Sequence, residues 1–184
     1  MLRTENKLYK AILIICLVAI VAGVVLGIWG FTNAEASLLL KFSGVFTCLA
    51  LLFAWYYIQL GYRKNAASYL KIYEALFAVA QLLAFGSVLE AKGSTAGVIV
   101  TAVTAALTLF LMLCKDLGKA ISFALVFVII ICTVVELICG IAADVSSALA
   151  PAVISRCVSS VIMAILLFVM IFAKYLDKKE RGAE

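Results

Sequence analysis

Long apolar stretches separated by brief polar ones set the pattern of this chain. Six stretches, at 9–31, 38–61, 68–90, 96–114, 119–143 and 148–174, match the length of about 20 residues that an α-helix needs to cross a bilayer. Between them lie only "FTNAEAS", "GYRKNAA", "EAKGST", "KDLGK" and "ADVSSAL". Connections this short predict that each helix packs antiparallel to its sequence neighbours. The expected fold is therefore an all-α polytopic membrane protein, a single transmembrane domain over 1–184 with six helices arranged as three hairpins. The endings "YIQLGYRK", "LCKDLGK" and "FAKYLDKK" recur at the close of the even-numbered helices, as three serial hairpins would show. The opening run "MLRTENKLYKAILIICLVAIVAGVVLGIWG" is longer than the apolar core of a signal peptide, about 7–15 residues, and reads as a retained first span.

Composition agrees with lipid as the solvent. Hydrophobic residues make up 67% of the chain and charged residues 14%, whereas a soluble domain has about a quarter charged. The net charge of +5 takes its meaning from its placement. Arg3, Lys7, Lys10, Arg63, Lys64, Lys71, Lys115, Lys119, Lys174, Lys178, Lys179 and Arg181 fall at one set of helix ends, and only Lys41, Lys92 and Arg156 at the other. The positive-inside rule then puts both termini in the cytoplasm of a cell (plasma or inner) membrane. The seven tyrosines lie towards the same inner ends, where such rings anchor among headgroups. Anionic headgroups are sufficient partners for this basic ring, and no nucleic acid is expected.

There is no histidine, which removes the commonest general base and the usual zinc ligand. No HExxH, nucleophile elbow or glycine-rich phosphate loop is present, so no enzyme, cofactor or metal is expected. The six cysteines sit in apolar runs without CxxC spacing and read as small space-fillers. Pro151 stands where a helix starts and its missing N–H costs little.

Small and polar residues recur at helical spacing, as helix association in lipid requires. The first helix carries Ala19, Gly23 and Gly27 as a packing face; the second aligns Lys41, Gly44, Cys48, Trp55 and Gln59. An intramembrane charge is expensive and normally faces protein or water, with a partner. Glu136 and Arg156 each lie about ten residues from the turn at Ser146-Ser147, so at about 1.5 Å rise per residue they reach one depth. They are expected to pair across helices five and six, with Asp144 as a second partner for the arginine. Glu74 and Gln81 share a face of helix three, and Lys115 is expected to approach Glu74 from helix four, with Lys71 one turn away. These six residues, Glu136, Arg156, Asp144, Glu74, Gln81 and Lys115, are the candidate ligand-binding or intramembrane polar positions.

In six spans, length and cytoplasmic termini the chain resembles the substrate-binding S-components of energy-coupling-factor vitamin transporters. That resemblance implies a solute-binding or transport subunit, with Ala19, Gly23 and Gly27 docking on a partner membrane subunit and the outer halves of the helices holding a small molecule. The glycine-rich "AGVVLGIWGFTNAEASLLLKFSG", without a turn proline, and the three-hairpin plan are similar to the HdeD-like acid-resistance membrane proteins. On that resemblance the protein is a structural or envelope-stress accessory, its buried charges are clasps, and the first helix makes a homo-oligomer. The solute-binding reading is the principal expectation, and the accessory reading its alternative.

Overall fold

The computed structural model describes residues 7–32, 36–60, 66–90, 94–114, 117–144 and 150–181. They form six α-helices: α1 (Lys7–Thr32), α2 (Leu38–Leu60), α3 (Ala66–Glu90), α4 (Thr95–Leu113), α5 (Lys119–Asp144) and α6 (Ala150–Arg181). No strand occurs among the described residues. Five helices are long and apolar enough to cross a membrane, and the described apolar stretch of α1 is Cys16–Trp29. α6 begins at Ala150 with Pro151 in its first turn, and it runs to Arg181, past the expected 174. The extension is "YLDKKER", whose lysines, glutamate and arginine are good helix formers. Hydropathy marks where lipid ends, and the helix continues beyond that point.

Consecutive helices pack against one another, and the ring closes through α1 and α6. Each packs through one stripe. In α5 the buried positions are Ser122, Val126, Ile129, Thr133 and Glu136, spaced by three and four residues so that they share a face. The opposite side, Ile121, Phe127, Val128, Ile131 and Ile138, is exposed and composed for lipid. α6 lies at the centre, touching α1, α2, α3 and α5; 61% of its spanning window is buried, against 22% for α5. Its Met163, Leu167 and Met170 meet Leu51, Tyr73, Phe77 and Ile129 in the main apolar core.

The α1 packing face points into the molecule. A Cβ built on Gly23 would stand 2.6 Å from Leu51 Cδ1, and one on Gly27 2.6 Å from Cys48 Sγ. Gly44 in turn lies against the Gly27 carbonyl. The face expected to dock a partner subunit or a second copy is thus filled by α2, with Ile162 of α6 beside Gly23, and Ala19 is only partly buried. What α1 turns outward is aliphatic and aromatic: Val18, Val21, Val25, Ile28 and Trp29.

Two tyrosines depart from the interfacial expectation. Tyr73 is wholly buried and donates its hydroxyl to the Met163 carbonyl at 2.7 Å; Tyr57 is buried and donates to the Met170 carbonyl at 3.3 Å. A phenol that finds a carbonyl inside the protein loses its reason to seek headgroups. Tyr56, by contrast, is exposed and meets Tyr69 edge-on. Tyr73→Phe is expected to lower unfolding free energy by about 0.5–1.5 kcal/mol, the net worth of one buried hydrogen bond. Thermal denaturation in mild detergent checks it, with the helical signal before melting unchanged.

A buried polar layer with an intramembrane ion pair

The helices bring an unusual number of polar side chains inward. Buried positions include Ser43 and Thr47 of α2, Gln81 of α3, Thr101, Thr104 and Thr108 of α4, Thr133 and Glu136 of α5, and Ser155, Ser159 and Ser160 of α6. Most hydroxyls are satisfied locally. Thr47, Thr101, Thr104 and Ser159 donate to the carbonyl four residues back at 2.8–2.9 Å, the habit of such side chains inside helices. Ser43 instead crosses to α3 and donates to the Ala80 carbonyl at 2.9 Å.

At one end of this layer Glu136 of α5 meets Arg156 of α6. Arg156 Nη1 stands 3.6 Å from Glu136 Oε2; the carboxylate side chain has no exposed surface and the guanidinium side chain 8%. The pair is an ion pair without a hydrogen bond. Neither carboxylate oxygen accepts one from the described residues, and Nη1 donates none. Arg156 Nη2 lies 3.1 Å from Cys157 Sγ, and that thiol donates to the Glu136 backbone carbonyl at 3.7 Å. Thr104 of α4 stands close to the Glu136 carboxyl, though its proton is held by the Val100 carbonyl. A buried polar atom without a partner costs about 1–3 kcal/mol, more when charged. This site therefore holds three atoms that close packing alone does not explain.

Arg156 also looks the other way. It lines a small cavity of about 10 Å³ between α1, α2 and α6, with Gly27, Gly44, Thr47, Ser155 and Ser159 among the other lining residues. That volume is the space of about one water molecule. The glycines leave the room; Leu26, Leu40 and Ala152 make most of the wall apolar, and the hydroxyl residues and Arg156 are its polar part.

The other candidates are distributed differently. Asp144 ends α5, and its side chain lies outside the described residues, as does Lys115 altogether. Glu74 is buried and paired at 2.6 Å with Lys71, one turn before it. Lys71 also donates to the carbonyls of Leu111 at 3.3 Å and Cys114 at 3.0 Å, capping the end of α4, where positive charge is favourable. Gln81 is buried on the same helix, and its side-chain oxygen accepts no hydrogen bond from the described residues. Glu74 and Glu136 thus belong to separate groups. On α2 the expected polar stripe is only partly inward: Gly44 and Cys48 are half-buried against Gly27 of α1, Lys41 and Trp55 are half-buried, and the Gln59 side chain lies outside the described residues, while Leu40, Ser43, Thr47, Leu51 and Ala54 form the buried face. Ser43, Thr47 and Cys157 were not among the expected site residues. The i, i+4 spacing of Ser43 and Thr47 in an apolar run was the available signal.

No group of three or more metal-ligating side chains occurs among the described residues. Comparison with protein-family models, with curated proteins and with solved structures gives no match for this chain.

Proposed function

We propose that this protein is a small-solute-binding or transport subunit of a cell membrane, built as three antiparallel hairpins with both termini cytoplasmic. The contact order supports the hairpins: Gly27 meets Cys48 while Gly23 meets Leu51, and Gly140 meets both Cys157 and Val153. The basic residues gathered at one set of helix ends support the orientation. One observation carries the functional reading. Arg156, buried and ion-paired with Glu136, lines a small cavity built on Gly27 and Gly44. A buried charge beside a cavity is the usual signature of a solute or ion pathway in a bundle.

A second reading, a non-transporting accessory protein, is favoured by the size of that cavity. About 10 Å³ leaves no room for a vitamin-sized molecule, and a closed bundle with an ionic clasp needs none. Thermal unfolding of the detergent-purified protein against a panel of small anionic, neutral and cationic solutes separates the two. A solute-binding protein is expected to gain stability from at least one solute, since binding the folded state alone at a hundredfold excess over Kd adds about 2.7 kcal/mol. A melting curve unmoved by the whole panel would favour the clasp.

A further inference from the structure

We propose that Glu136 is a proton-binding site in the core of the bundle, alternating between a carboxylate paired with Arg156 and a neutral acid whose proton is donated to Thr104. This goes beyond the solute-binding reading and does not depend on it, since the guest is the proton itself.

Four consecutive helices bring polar side chains to one depth. Glu136 of α5 and Arg156 of α6 stand 3.6 Å apart, and Thr104 of α4 is close to the Glu136 carboxyl. Gln81 of α3 reaches the same level. The short link between α3 and α4, with Lys71 donating to the Cys114 carbonyl at their far ends, sets these two helices antiparallel. Ten residues on from Lys71 is Gln81, and ten back from Cys114 is Thr104. Counting eight residues in the same way from the hydrogen bond between Tyr73 and Met163 leads from Gln81 to Ser155, beside Arg156.

In this layer acceptors outnumber donors. Glu136 Oε1 and Oε2 and Gln81 Oε1 accept no hydrogen bond from the described residues. Thr104 hands its proton to the Val100 carbonyl, which leaves its oxygen lone pairs for the carboxyl. The three unaccepted oxygens are also sealed, with no surface that a water could touch. A molecule of water size finds no room there, whereas a proton needs none. Placed on Glu136, it turns the carboxyl into a donor for Thr104 Oγ1 and leaves Oε2 towards Arg156.

The two forms are close enough to exchange. An ion pair at 3.6 Å without a hydrogen bond holds its carboxylate less firmly than a bidentate one, and burial disfavours both charges. The helices packed on α5 bring one charge to Glu136 among the described residues. α4 has none from Thr95 to Leu113, and α6 contributes Arg156 and the thiol of Cys157. On α5 itself Cys132 and Cys139 lie one turn to either side. In balanced form, hydronium and Glu136–CO2⁻/Arg156⁺ give water and Glu136–CO2H/Arg156⁺. One O–H bond of hydronium breaks, one forms on Glu136, and the charge of the site rises by one. Arg156, which does not give up its proton, keeps the Cys157 sulfur at 3.1 Å.

The test is the infrared carbonyl band of a protonated carboxyl, which stands apart from the bands of amides and carboxylates. Purified wild-type protein in detergent, without added solute, is titrated across the pH range in which it stays folded. The expected result is a band that grows as pH falls and is missing from the spectra of Glu136→Gln. Thr104→Val supplies the sign. Valine removes the acceptor of the neutral acid, so proton affinity is expected to fall about two- to tenfold, the worth of one hydrogen bond. Were Thr104 a donor to the carboxylate instead, valine would raise the affinity; a rise, or no change, overturns the inference. So does a difference band that is absent at every pH, or present and unchanged at every pH. Should Glu136→Gln fail to fold, a wild-type band that shifts with Thr104→Val sustains the inference and one that ignores it overturns it. The solute panel is a separate measurement, so failure here leaves the solute-binding reading standing.

Discussion

Arg156→Gln is expected to cost about 3–5 kcal/mol of stability, because it strands the Glu136 carboxylate in a place with no exposed surface and, among the described residues, no hydrogen bond donated to it. Glu136→Ala should cost a similar amount by stranding the guanidinium. The two losses are not additive. Removing both charges with side chains of similar volume, as in Glu136→Met with Arg156→Met, is expected to return most or all of the stability, since the desolvation of two ions is then no longer opposed to folding. The 3.6 Å separation without a hydrogen bond points the same way, because the pair gains less than a bidentate contact would. A double-mutant cycle of Glu136→Met, Arg156→Met and the two together, followed by thermal or denaturant unfolding in detergent, measures the coupling. A double variant whose loss equals the sum of the two single losses would mean that Arg156 and Glu136 are each held by other partners, and the ion pair would lose its place in this account.

The second large effect belongs to the helix crossing beside the cavity. Gly27→Leu is expected to cost about 3 kcal/mol or more, at or beyond the upper end of overpacking penalties. Its Cβ alone would meet Cys48 Sγ at 2.6 Å with the Gly44 carbonyl at 3.5 Å, so α1 and α2 must separate or the side chain must enter the cavity. Gly27→Ala sets two terms against each other: about 1 kcal/mol of helix propensity gained and about 1–3 kcal/mol of overpacking lost. Cys48→Ala, which removes the clashing sulfur, should relieve much of the loss in the Gly27→Ala background. Gly118, where an added Cβ meets nothing within 4 Å, is the control position, and alanine there is expected to be neutral. If Gly27→Leu melted like wild type, the close approach of α1 and α2 would be wrong.

Much of the helical framework was legible because lipid imposes one period and one length on every segment. The six apolar runs coincide with α1 to α6 to within a few residues at most ends, and Glu136 and Arg156, placed at one depth by counting from the turn, stand 3.6 Å apart. Rotation about a helix axis was harder to read. On α2 the residues Lys41, Gly44 and Cys48 looked like the inward stripe because they are small or polar; Gly44 and Cys48 do meet α1 at Gly27, but the most buried face, with Ser43 and Thr47, lies one position to the side. In a helix with few strongly polar residues the contrast between faces is weak, and neighbours decide the rotation. Tyrosine failed as a marker for a related reason. Tyr73 has the same formula as Tyr56, and only the Met163 carbonyl within 2.7 Å makes it an interior residue. The glycine face of α1 was recognisable as a packing surface, but spacing alone does not say whether α2 or another chain fills it.

The central position of α6 bears on how the molecule is made. It follows the other five helices in the chain, yet it is the one that α1, α2, α3 and α5 surround. Without it, the earlier helices lack the Met163 carbonyl to which the Tyr73 hydroxyl donates. Glu136 likewise has its charged partner on α6, twenty residues later in the chain. The five other helices without α6 would form an open arrangement in which Glu136 has no ionic partner, and the docking of that one last segment both neutralises the charge and closes the ring.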